Sequence, residues 1–337
     1  MHIPDGYLSP ATCAVMYAAA APFWYRASHR VRETLSHRAV PLLALVSAFS
    51  FVIMMFNVPL PGGTTGHAVG GAIAAIVLGP WGATIAISIA LAIQALFFGD
   101  GGILAFGANA FNMAIVMPLV AWYTYRAIAS RSPLASRWRA LAGAVAGWLS
   151  LNVAALCAAV EFGLQPYLFH TADGTPLYQP YTLEVAIPAM MIPHLLAAGM
   201  VEGVITALLV AYLQRANQLI LALAEPTAGV TGWRLWPLWV GLAALVILTP
   251  LGLLAPGTAW GEWGADELQG MLGFVPRGLE GLSGLWPAPL PDYAVPGLGV
   301  VPGYLVSAAI GIGLAATFLL VIGRLLARRE AGTRPQV

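Results

Sequence analysis

Residues 302–323 read PGYLVSAAIGIGLAATFLLVIG, and Arg324 follows at once. None of these side chains is charged at neutral pH. A helix needs about 20 predominantly apolar residues to cross the hydrocarbon of a bilayer. Lipid offers the backbone no hydrogen-bond partner, so such a stretch must be helical. Similar stretches lie upstream at roughly 9–26, 41–58, 67–79, 80–98, 103–125, 138–162, 186–213 and 236–254. The stretch at 67–79 is short and glycine-rich, which suits a partial or tilted span. No dyad alternation of the β-barrel kind occurs. The expected fold class is an all-α polytopic membrane protein of about nine transmembrane helices.

Composition agrees. Of the 337 residues 59% are hydrophobic and 9% charged, with mean hydropathy +0.81. A soluble domain carries about 25% charged residues. The deficit excludes a cytosolic globular enzyme, a disordered chain and a nucleic-acid binder, which would need a basic surface. Every one of the fifteen cations is Arg. Arg26, Arg30, Arg32 and Arg38 follow the first stretch, and Arg126, Arg131, Arg137 and Arg139 the fifth. Arg215 and Arg234 follow the seventh, and Arg324, Arg328, Arg329 and Arg334 the ninth. By the positive-inside rule these are cytoplasmic ends. The N-terminus is therefore expected outside and the C-terminus inside. Arg277 alone departs from the pattern, in a long loop where the rule is weak.

The polar stretch from Arg215 to Trp236 marks a boundary. Residues 1–228 form a main module of seven spans. Residues 229–337 form an appended two-span hairpin around an outside loop, about 255–301, rich in Gly, Pro and Trp. Trp233, Trp236 and Trp239 read as interface anchors. Ala44 and Ala48 form a small-xxx-small pair that permits close helix approach, within the chain or to a partner. Cys13 and Cys157 lie in apolar runs without CxxC spacing and read as buried thiols. No basic n-region opens the chain, so no cleavable signal peptide is expected at Met1.

No HExxH, GxSxG, P-loop or GxGxxG occurs, so ATP hydrolysis by a P-loop is not expected of this chain. Nothing in the sequence asks for an organic cofactor. Six histidines remain. His29 and His37 lie in the Arg-rich cytoplasmic loop, and His170 in an outside loop; all three read as solvated. His194 and Glu202 sit at membrane depth, where ionisable groups are costly and often functional. His2 and His67 share the outside face. His67 follows Pro61-Gly62-Gly63-Thr64-Thr65-Gly66, a loop with little side-chain bulk that permits close backbone approach. The Met1 amine, the His2 amide nitrogen and the His2 ring can chelate one metal through fused small rings. His67 could add a fourth nitrogen, and four nitrogens in a plane suit Ni(II) or Cu(II).

These residues resemble the CbiM/NikM family, the substrate-binding membrane components of energy-coupling-factor transporters for nickel and cobalt. The resemblance rests on Met1-His2-Ile3-Pro4-Asp5-Gly6-Tyr7-Leu8, on the loop ending at His67, on the run from Phe98 to Met113 and on Ile192-Pro193-His194. It covers most of 1–220. The appended module is similar to the small companion subunit in fused form. Its Pro276-Arg277-Gly278-Leu279-Glu280 resembles the companion's PDGLE motif, with Arg277 where Asp is usual. The resemblance implies a metal site of Met1, His2 and His67, with Ni(II) as transported substrate and Co(II) as the alternative. It also implies an integral membrane coupling component and an ABC-type ATPase pair as partners, in a prokaryotic cytoplasmic membrane. Thr64, Thr65, Asp100, Asn109 and Asn112 fall near the outside face and are candidates to orient the imidazoles. Two rival readings stand beside this one. The first is a stand-alone secondary transporter coupled to protons through Glu161, Glu202 or His194. The second is an intramembrane enzyme, for which no motif speaks.

Overall fold

The computed structural model describes residues 1–34, 40–216, 220–221, 235–255 and 257–332. The 228/229 division, His37, Arg38, Arg234, Arg334 and Trp233 lie outside the described residues. The main module contains α1 (Pro10–Thr34), α2 (Val40–Met54), α3 (Gly71–Phe98), α4 (Phe106–Ala129), α5 (Arg137–Leu168) and α6 (Leu183–Ala216). The appended module contains α7 (Trp236–Leu254), short helices α8 (Ala265–Leu272) and α9 (Arg277–Leu282), and α10 (Val300–Gly332). Among the described residues, six helices are long and apolar enough to cross a membrane: α3 to α7 and Val300–Val321 of α10. The α2 helix is apolar but shorter, and α1 carries Arg26, Arg30 and Arg32 in its last third. This is a multi-pass, all-α membrane protein.

Two expected spans, 67–79 and 80–98, fall inside α3. A continuous helix of its 28 residues would be ~42 Å long. Yet His67 before it and Asp100 after it both lie against His2. The chain must therefore double back. It does so at Gly79, whose φ of 72° and ψ of 167° break the helix just before Pro80. Trp81, just past the turn, stacks on Phe23 and lies under the Arg26 guanidinium of α1. The first arm is thus short and begins at Gly71, inside the bundle, rather than at residue 67.

A helix N-terminus buried in a bundle exposes unpaired N–H groups and partial positive charge. Each buried donor left alone would cost about 1–3 kcal/mol. Glu202 of α6 meets the need. Its Oε2 accepts from Val69 N at 2.9 Å and Gly70 N at 3.0 Å, and its Oε1 from Ala72 N at 3.3 Å. The carboxylate is fully buried. It can sit there because α5 and α6 cross closely over two GxxxG pairs, Gly143/Gly147 and Gly199/Gly203. A Cβ on Gly147 would lie 2.9 Å from Gly203 Cα and from the Glu202 carbonyl. Such small-residue faces let backbones approach in lipid.

The chain from Val58 to Gly66 forms a two-stranded antiparallel hairpin, Val58–Leu60 paired with Thr64–Gly66. The appended module packs on α2. A Cβ on Gly311 of α10 would strike the Phe51 ring, and Tyr304 O–H donates to the Met55 carbonyl at 2.7 Å. Ala44 and Ala48 are 2% and 0% exposed. They pack within this chain and present no free surface.

Candidate metal centre

The N-terminal octapeptide is threaded into the bundle as extended chain and turns. His2, Ile3, Tyr7 and Leu8 are buried. Each part has its own anchor. Asn109 accepts from Ile3 N at 2.8 Å and donates to Ile3 O at 3.0 Å. The Asp5 carboxylate accepts from Ile103 N and Ala105 N, both at 3.0 Å. Gln165 Oε1 accepts from Ser9 N at 2.9 Å. Those anchors explain why Asp5 and the glycine-rich run 99–107 accompany each other: a Cβ at Gly102 would overlap the Asp5 carboxylate.

The threading delivers His2 to His67. His2 Nδ1 lies 3.3 Å from His67 Nε2, and the ring centroids are 5.0 Å apart. His67 Nδ1 is 3.1 Å from the Ala68 carbonyl. A carbonyl can only accept, so this nitrogen carries the proton and Nε2 keeps a free lone pair towards His2. Burial pushes the His2 pKa down to about 4, with the neighbouring N-terminal charge adding to the effect. Burial likewise holds His67 well below the usual imidazole value, with His2 and the N-terminal charge as lesser causes. Both rings are therefore neutral near pH 7, the form that ligates metal.

Of the proposed orienting residues, Asp100 Oδ1 lies 3.0 Å from His2 Nδ1. Thr64 Oγ1 accepts from Trp260 N at 2.8 Å. Thr64 and Thr65 line a cavity of about 10 Å³ with Met1, His194 and Trp260, room for about one water. Asn109 holds Ile3, next to His2. Asn112 does not join this group: its side-chain amide donates to Glu161 at 2.9 Å. It lies in a π-helical stretch, Ala110–Val116. His194 Nδ1 bonds the Met190 carbonyl of its own helix at 2.7 Å. Among the described residues no three His, Cys, Asp or Glu side chains converge as a ready metal cluster.

Sequence reasoning missed three neighbours of the centre. Glu262 pairs with the Met1 amine at 3.0 Å. Tyr293 O–H bonds Asp100 Oδ2 at 2.5 Å, and Gln94 Nε2 donates to Tyr293 at 3.0 Å. Glu262 and Tyr293 both come from the chain between α7 and α10. The loop's five carboxylates were visible in sequence, but nothing there said which would reach residue 1.

The "Cobalt uptake substrate-specific transmembrane region" family model, CbiM, matches residues 2–220. The chain belongs to that family. A PDGLE domain model matches residues 234–328. The fused nickel transport protein NikMN of Rhodobacter capsulatus is 53% identical over 330 residues, covering 93% of this chain and 94% of that protein. The probable fused nickel transport protein LarMN of Lactiplantibacillus plantarum is 46% identical, covering 96% of each. A crystal structure of a truncated transition metal transporter is 56% identical, covers 63% of this chain and 98% of its own, and superposes with a TM-score of 0.60. This is a membrane protein of the nickel and cobalt transport family.

Proposed function

We propose that the chain captures Ni(II) on the outside face and delivers it inward as the substrate-specificity component of an ATP-driven importer. The ligands are the Met1 amine, the His2 amide nitrogen, His2 Nδ1 and His67 Nε2. One observation carries the reading: the 3.3 Å between His2 Nδ1 and His67 Nε2. With metal–nitrogen bonds of about 2 Å, adjacent corners of a square lie ~2.8 Å apart. The two rings need to close by only a few tenths of an ångström. Amine, amide and His2 ring fill the other corners from one short piece of chain. Backbone donors also suit a centre that gathers few ligating side chains. A planar all-nitrogen set favours Ni(II) over Co(II). The fused relatives bear nickel names, and a cobalt transport protein of Geobacter sulfurreducens is 31% identical. An integral coupling protein and a pair of ABC-type ATPases supply the energy in this reading, since the chain has no P-loop of its own.

The proton-coupled alternative would use Glu161, Glu202 or His194. The bonding of two of these disfavours it, since Glu202 is committed to backbone donors and His194 to its own helix. Transport in vesicles with and without the coupling protein and ATPases separates the two readings.

The ligand set is tested by Ni(II) titration of purified protein. His67→Ala should lose at least 100-fold in affinity, in line with the loss of a fixed anchor. An uncleaved residue added before Met1 turns the amine into an amide and should abolish binding, while a C-terminal tag is harmless. Undiminished affinity in the extended form would leave at most a two-imidazole site.

A further inference from the structure

Once His2 Nδ1 ligates metal, its proton must reside on Nε2, and a ligating imidazole donates that other N–H to an acceptor. His2 Nε2 is buried and has no hydrogen-bond partner. Gln94 Oε1 is likewise buried and unpartnered. The two belong to one group around Asp100: Gln94 Nε2 donates to Asp100 Oδ2 at 3.3 Å, and Asp100 Oδ1 lies 3.0 Å from His2 Nδ1. One atom is a donor waiting for metal, and the other an acceptor with nothing else to accept.

The rest of the network fixes which end of Gln94 faces the ring. Asp100 can only accept when ionised. Tyr293 O–H therefore gives its proton to Asp100 Oδ2, and the Tyr293 oxygen is left to accept. Gln94 must then turn its NH2 towards Tyr293, at 3.0 Å, and towards Asp100 Oδ2, at 3.3 Å. Its oxygen is left for His2. Gln94 opens a π-helical stretch, Gln94–Phe98, a deviation often found at functional sites. Tyr293 and its neighbour Asp292 hold positive φ of 61° and 53°, a backbone state that persists only where the surroundings enforce it. The Tyr293 ring is fixed by stacking on Phe98, centroids 4.8 Å apart.

We propose that Gln94 and Tyr293 are positioning residues for the His2 ligand. Tyr293, from the appended module, orients the Gln94 amide so that its oxygen receives the His2 Nε2–H and Nδ1 is left bare towards His67. A protonated Nδ1 would donate to Asp100 Oδ1, 3.0 Å away; ligation through Nδ1 leaves Nε2–H as the ring's donor and Gln94 as its acceptor. This inference rests on the ligand set proposed above.

The test is Ni(II) titration of the purified full chain carrying Tyr293→Phe, Gln94→Met, both together, or His67→Ala, with metal-free melting midpoints recorded beside each. Tyr293→Phe removes one hydroxyl from a ring that keeps its stacking. It should lower affinity about 10-fold with an unchanged midpoint, the usual loss for an outer partner of a metal ligand. Gln94→Met should lose at least as much. The double variant should be no weaker than Gln94→Met alone, because Tyr293 acts through Gln94. Wild-type affinity in Tyr293→Phe, or additive losses in the double variant, overturns the proposal. If Gln94→Met fails to fold, Tyr293→Phe still decides. Should His67→Ala bind as wild type, the ligand set itself is wrong and this inference falls with it. Should His67→Ala lose binding while Tyr293→Phe does not, only the positioning role falls.

Discussion

At the scale of single residues, the centre is an arrangement of neutral nitrogens kept from water. The His2 ring has a pKa of about 4 when folded and an ordinary value of 6.5 when unfolded. Between those values the unfolded chain binds the extra proton. Stability therefore rises with pH through that window, and is lost as pH falls from about 6.5 towards 4. Metal-free protein in detergent should lose melting midpoint relative to His2→Gln as pH falls from about 6.5 towards 4. His2→Gln should fall less steeply. Equal pH dependence in the two proteins would contradict burial of a neutral His2. His2 and His67 could be picked out from the sequence because a second-position histidine and a glycine-rich loop on the same face carry their chemistry openly. Gln94, Glu262 and Tyr293 could not. Their relevance depends on a π-helical turn, on a left-handed loop conformation and on contacts between residues 199 and 261 positions apart in the chain.

At the scale of elements, the apolar stretches were legible because lipid imposes one length and one composition on every spanning helix. Their ends were less so. The stretch at 67–79 gives up its first residues to irregular chain, because Glu202, 130 residues on, can cap a helix that starts at Gly71. The hairpin over Val58–Gly66 and the helices Ala265–Leu272 and Arg277–Leu282 were also absent from the sequence reading. Short elements outside the hydrocarbon carry no length constraint. The crossing of α5 and α6 was overlooked because GxxxG pairs blend into an Ala- and Gly-rich background. Gly147→Leu should show what that crossing contributes. Its side chain would meet the Gly203 Cα and the Glu202 carbonyl, backbone atoms that cannot swing aside, and the Thr206 hydroxyl. A destabilisation of about 1–3 kcal/mol is expected, read as a lower melting midpoint. Gly313→Leu is the control, since a Cβ there meets nothing within 4 Å. Equal midpoints for the two would mean that the α5–α6 contact is looser than described.

At the scale of the whole molecule, the arginine pattern makes a directional prediction. In a background with Cys13 and Cys157 replaced by Ala, Gly284→Cys should react with an impermeant maleimide on intact cells. His29→Cys should react only after permeabilisation. Both positions are exposed on the protein. The opposite result would invert the chain in the membrane and place the metal centre on the cytoplasmic side. The chain between α7 and α10 covers the proposed centre, with Trp260 beside Thr64, Glu262 on the Met1 amine and Tyr293 on Asp100. These residues belong to the same polypeptide as His2 and His67. A covalent tether of short reach sets a local concentration of about millimolar, well above what a separate membrane protein would reach by synthesis alone. Each metal centre is thus made together with its own cover, one for one, and the match does not vary with how much of either half the cell produces.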